Sequence, residues 1–162
     1  MGISSLGWLH TLGSLPAIPL ALYMLLRHGR IEPRSGSGRA YFCFMLLGAL
    51  TVYPIAHQPI SMIIATVTLA VLLLGYAMAT VFADWRYSRP VETVALSLSV
   101  FLLLVPTVSE SLRRLPVGHP LVTDLKDPLL LGAQGALLLA LLLGVPLQLW
   151  AQRRRQHRAV GR

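Results

Sequence analysis

Three of the five histidines, His10, His57 and His119, are the residues best placed to do chemistry. A neutral imidazole nitrogen ligates first-row metals, and two imidazoles can hold haem iron from opposite sides. Asp124 or Asp127 would add an oxygen ligand to such a set. No HxxxH or HxH spacing is present, so only the fold could gather these side chains. Two assignments follow: His10 and His57 as cofactor ligands, for a haem, and His10, His57 and His119 as ligands of a transition metal. The plainer alternative is that polar residues at the ends of membrane spans sit at the water boundary, where histidine costs little. A phosphate loop, an HExxH, a CxxC and a Ser–His–acid arrangement are all missing. The lone Cys43 lies in an apolar stretch and reads as a small hydrophobe.

What would position the histidines is a set of membrane helices. Only 12% of the residues are charged and 55% are apolar, against about 25% charged in a soluble domain. A hydrocarbon core of about 30 Å takes roughly 20 helical residues. The first candidate span, 6–26, ends at the "RHGR" sequence and reads as a permanent span rather than a removable leader. The stretch from Ala40 to Ala83 holds 44 residues without Lys, Arg, Asp or Glu. As one helix it would be about 66 Å long, too long for one crossing. It must therefore turn, and "YPIAHQPI" marks the place. Pro59 cannot donate to a continuing helix but suits the first turn of a new one. Spans are expected at 40–56 and 60–82. A fourth, 91–108, follows "RYSRP", where Ser88 is expected to cap the helix. A fifth, 128–150, opens at "DPLLL" with Asp127 as its cap. Pro16 and Pro19 are expected to kink the first helix.

Charge supplies the orientation. With five spans, one face collects Arg27, Arg30, Arg34, Arg39, Arg86, Arg89, Arg153, Arg154, Arg155, Arg158 and Arg162 against Glu32, Asp84 and Glu92. The whole net charge of +8 then lies on that face, and the other is neutral. Excess Lys and Arg mark the cytoplasmic side. The reading is an all-α integral membrane protein, a single five-helix bundle with its N-terminus outside and its C-terminus cytoplasmic. No nucleic-acid motif accompanies the basic clusters, so the partner they imply is the lipid bilayer of a bacterial inner membrane. Tyr23, Tyr41, Trp85, Tyr87 and Trp150 fall near inner span ends, where amphipathic rings favour the headgroup level. No charged residue lies deep in a span, which argues against an ion-coupled transporter.

Gly132, Ala136, Ala140 and Gly144 recur every four residues on the fifth span, with a shorter version at Gly75 and Ala79. Such a stripe lets another backbone approach closely. It points to packing within the chain, to a homo-oligomer, or to a membrane-protein partner through the fifth helix. The first hairpin, with His10, Gly29, Gly38, Arg39 and Tyr41 matching in outline, resembles a broad set of uncharacterised bacterial multi-span membrane proteins. Pro33 stands where their His-Arg-x-x-Gly-Arg-x-Tyr element has its first histidine. Those proteins are loosely grouped with haem-bearing cytochrome-like bundles, so the resemblance implies a helical membrane fold and admits haem. Three functions are consistent with the sequence: a non-catalytic accessory or assembly component, a haem- or metal-binding redox protein, and a passive channel or small-molecule transporter.

Overall fold

An uncharged chain in lipid has only its own backbone to hydrogen-bond with, so it must form helices. The computed structural model describes residues 10, 12–56, 58–115, 121–124 and 126–160, with side chains as far as Arg154. It is 80% helix, with no strand among the described residues. Five helices follow in order: α1 Ala17–His28, α2 Gly36–Val52, α3 Pro59–Thr80, α4 Ser88–Arg114 and α5 Pro128–Val160. Three of them, α3, α4 and α5 as far as Arg154, are long and apolar enough to cross a membrane. The chain divides into two units, residues 1–100 and 101–162, with the boundary inside α4.

In the first unit, proline and glycine set the helix limits. Residues 12–14 are helical and a turn at Leu15 and Pro16 precedes α1. Pro19 has no N–H for the Leu15 carbonyl, which accepts from Ile18 instead at 3.2 Å. Gly29 ends α1 in the left-handed conformation (φ 73°), and its N–H donates to Leu25. The long uncharged stretch breaks where expected. α2 ends at Val52, Ile55 and Ala56 both donate to the Val52 carbonyl, and Pro59 opens α3 after extended Gln58.

Small residues bring these helices together. A Cβ on Gly75 would stand 2.6 Å from a methyl of Leu96, so α3 and α4 are close there. Gly48 meets Ser14 in the same way, and Gly13 meets Leu47. The buried core includes Met24 from α1, Tyr41 and Met45 from α2, Leu72 from α3 and Leu96 from α4.

Two sequence expectations are corrected here. Ser88 is the first residue of α4 rather than a cap outside it, and its hydroxyl donates to the Ala83 carbonyl. Tyr41 does not sit among headgroups: it is fully buried, because its position on α2 faces the first half of α4. Tyr23, Trp85, Tyr87 and Trp150 are exposed.

In the second unit α4 continues to Arg114, past the expected end at 108. Glu110 pairs with Arg113 at 3.6 Å and with Arg114 at 2.7 Å, which supports the extra turns. Val122 is buried, and its N–H donates to the Leu112 carbonyl. Asp127 caps α5 as expected, its carboxylate accepting from the Leu129 N–H at 2.8 Å. The helix then runs on through the arginine-rich end to Val160, beyond the expected limit at 150. Nothing apolar is needed to continue a helix into water, and Arg154 lies over the Trp150 ring at 3.7 Å.

Candidate functional site

The strongest concentration of polar chemistry lies at the end of the first unit where α1 hands over to α2. Left-handed Gly29 turns the chain away from α1, and residues 30–35 fold back over the first turn of α2. Ser35 fixes that fold. Its hydroxyl accepts from the Gly38 N–H at 2.9 Å and donates to the Glu32 carbonyl at 2.7 Å. The loop can lie so low because residue 38 has no side chain. A Cβ there would be 2.0 Å from the Glu32 carbonyl oxygen and 2.8 Å from the Pro33 Cα.

The fold-back aims two arginines at other helices. Arg30 Nη1 donates to Glu92 at 2.9 Å, and its Nη2 lies 2.8 Å from Glu32. One guanidinium thus ties the α1–α2 loop to the first turns of α4. The Glu92 side chain is only 9% exposed, and Arg30 keeps 25%. A carboxylate so far out of water needs a partner of opposite charge, and Arg30 supplies it. Arg34 donates through Nε to the Ala79 carbonyl at 2.8 Å, and its Nη2 donates to the same oxygen. That carbonyl is in the last turn of α3, where no further helical N–H is available and a cation is favoured. Between these groups lies a cavity of about 260 Å³, lined also by Met78, Asp84, Ser88 and Arg89.

One turn deeper, hydroxyls continue the cross-helix ties. Tyr41 and Ser99 share a buried hydrogen bond of 2.9 Å, while the Ser99 hydroxyl donates to Leu96 on its own helix. Tyr76 on α3 donates to the Gly38 carbonyl on α2, beside a ring contact of 4.5 Å between Phe42 and Tyr76. No buried side-chain nitrogen or oxygen among the described residues lacks a partner.

No protein family, curated protein or solved structure matches this chain. Function has to be read from geometry.

The other end of α2 holds His10. Its Nδ1 lies 3.0 Å from the Gly48 carbonyl oxygen and 3.0 Å from the Thr51 hydroxyl. A carbonyl can only accept, so Nδ1 carries the proton. Thr51 donates to Leu47 at 2.7 Å and has a lone pair to offer back. In the neutral imidazole this arrangement puts the lone pair on Nε2. His57 and His119 lie outside the described residues, so the structure gives no distance among the three histidines. No group of three His, Cys, Asp or Glu suited to a metal occurs among the described residues.

On α5, Gly132, Ala136 and Ala140 are exposed and Gly144 is half-buried. No described atom lies within 4 Å of where a Cβ would stand on Gly132 or Gly144. The half-buried face of α5 is a different one. It includes Gln134, Leu137, Leu141 and Val145, and Gln134 donates to Ser109 on α4 at 3.0 Å.

The Arg30–Glu92 pair is not visible as a pair in the sequence, where both residues enter only the charge balance of one face. An acid one turn into an apolar helix needs a cation, and "RIEPR" is one of two basic loops on the same face, the other holding Arg86 and Arg89.

Proposed function

We propose that this is a five-span membrane protein, N-terminus outside and C-terminus cytoplasmic, that works as a non-catalytic packing or assembly component through α5. The observation that carries this reading is the state of α5. Its most apolar window is only 6% buried, and no described atom lies within 4 Å of where a Cβ would stand on Gly132 or Gly144. In the first unit, by contrast, Arg30, Arg34, Tyr41, Tyr76 and Glu92 all bond to another helix or loop. Such ties suit a scaffold that holds its shape while one helix is offered to a neighbour. Between apolar helices in lipid, close backbone approach has to supply the attraction, and a row of glycine and alanine permits it. The neighbour is a second copy or another membrane protein of the bacterial inner membrane.

Two experiments test this. In a Cys43→Ala background, a cysteine at position 58 should be labelled from outside intact cells and one at position 156 spared. Labelling of both, or of 156 alone, would overturn the topology. For α5, Ala140→Cys should crosslink to a neighbour in native membranes, and Ala140→Leu should abolish the complex while Leu139→Ala leaves it intact. If Leu139→Ala alone disrupts the complex, the interface lies on the leucine face instead.

A second reading keeps His10 as a ligand of haem or a transition metal. What favours it is the N–H of Nδ1 on the Gly48 carbonyl, the arrangement that orients ligating imidazoles elsewhere. An absorption spectrum and metal analysis of the detergent-purified protein decide it: a Soret band or stoichiometric metal lost in His10→Ala supports the ligand role, and the lack of both removes it.

A further inference from the structure

The cavity beside the Arg30–Glu92 pair has a charge pattern that the clasp does not use up. Three guanidiniums and three carboxylates line it. Arg30 is shared between Glu32 and Glu92, so that trio keeps one negative charge. Arg34 gives two donors to the Ala79 carbonyl, which accepts the hydrogen bonds but neutralises nothing. Arg89 and Asp84 are exposed and make no ion pair with another described residue. What remains is two cations, Arg34 and Arg89, that act on Glu92 only at longer range, and two negative charges, on Asp84 and on the Glu32–Glu92 pair, none of them closed into a further contact ion pair among the described residues. A simple anion would meet the carboxylates and a simple cation would meet the guanidiniums. A ligand carrying one charge of each sign matches both.

Position narrows the class. The lining comes from the α1–α2 loop, the C-terminal end of α3 and the first turns of α4, so the cavity opens at the end of apolar helices, with Met78 on its wall. On the reading that α3 and α4 cross the bilayer, on which this inference rests, that is headgroup level on the cytoplasmic side. Guanidiniums pair with phosphate oxygens in a planar, two-pronged geometry that an ammonium cannot reproduce. Basic pockets between helices on this side of a membrane bind anionic headgroups, and the carboxylates here select instead a headgroup that also carries a cation. The volume of about 260 Å³ suits a headgroup rather than a larger ligand. We propose that the cavity binds a phosphodiester bearing a primary amine, the phosphate toward Arg34 and Arg89 and the ammonium toward Asp84 and Glu92. A phosphatidylethanolamine headgroup and a soluble glycerophosphoethanolamine share this chemistry.

The test is lipid titration of the full chain in detergent, read by native mass spectrometry, with phosphatidylethanolamine, phosphatidylcholine and phosphatidylglycerol of matched acyl chains. Phosphatidylethanolamine should bind about tenfold or more tighter than the other two, because phosphatidylcholine has no N–H to donate and phosphatidylglycerol has no cation. Arg89→Ala should weaken it by about tenfold, and Asp84→Asn should erase its advantage over phosphatidylcholine. Both side chains lie outside the Arg30–Glu32–Glu92 trio, and an unchanged melting temperature would show that the fold is retained. Displacement of the lipid by equimolar glycerophosphoethanolamine assigns the site to the soluble source; failure to displace assigns it to lipid. Equal binding of the three lipids, or parental binding by both variants, overturns the proposal. So does binding of phosphatidylglycerol alone. The labelling at positions 58 and 156 is independent of lipid affinity, so a wrong topology and a wrong ligand would be told apart.

Discussion

Glycine to alanine inside a helix is normally stabilising, and at position 38 the structure reverses the sign. Alanine gains about 1 kcal/mol over glycine from backbone propensity alone. At Gly38 the new methyl would lie 2.0 Å from the Glu32 carbonyl oxygen, and the second and third nearest atoms, at 2.8 Å, also belong to backbone. No side chain can swing aside, so the loop itself must rise by more than an ångström to reach ordinary contact. Overpacking of this kind costs about 1–3 kcal/mol, and a purely backbone clash belongs at the upper end. The lifted loop also misaligns Arg30 against Glu92 and Arg34 against Ala79. Gly38→Ala is therefore expected to lower stability by about 1–2 kcal/mol net of the propensity gain. Gly36 supplies the control, since no described atom lies within 4 Å of a Cβ there. Gly36→Ala should be neutral or more stable than the parent. Denaturant unfolding in one detergent, followed by circular dichroism, would rank the three proteins. If Gly38→Ala matched Gly36→Ala, the loop would not lie on the first turn of α2 and the clasp geometry would be wrong.

Two further predictions concern the ties themselves. Arg30→Ala strands the Glu92 carboxylate and should cost about 1–3 kcal/mol, below the 3–5 of a fully buried pair because a quarter of Arg30 is exposed. Arg30→Ala combined with Glu92→Gln should recover part of that loss in the same unfolding assay, and no recovery would mean the two side chains are not coupled. Tyr41→Phe should cost about 1 kcal/mol, since the bond to Ser99 is buried. Tyr53→Phe, whose bond to Thr66 is exposed, should fall within error of the parent. Equal effects from the two would place Tyr41 at the surface.

Helix limits were legible wherever a residue decides them alone. Pro59 opens α3, Asp127 caps α5 and Gly29 closes α1, because the chemistry of each is local. The fourth helix ran long because ion pairs at Glu110 continue a helix that apolar length cannot register. Tyr41 was misjudged for a related reason: nearness to a span end suggests the interface, yet whether a ring meets lipid water or another helix depends on its angular position against neighbours. The clasp lay hidden because its members are far apart in sequence, Arg30 from Glu92 and Arg34 from Ala79. Composition counts charges and cannot say which of them meet. The stripe on α5 could be seen directly in the sequence, but its exposure among the described residues could not.

The Arg30–Glu92 pair also has a history, because its members are made at different times. They are 62 residues apart, and α2 and α3 are synthesised between them. Until then Arg30 already has a counter-charge, Glu32, two residues away and itself held by the same loop. Arg30 is thus paired from the start, while Arg27, Arg34 and Arg39 keep the loop basic. Glu92 arrives later at the start of a helix whose burial it would otherwise oppose, and it meets a guanidinium already in place. The order of the residues along the chain means that Arg30 is always made before the buried acid it pairs with.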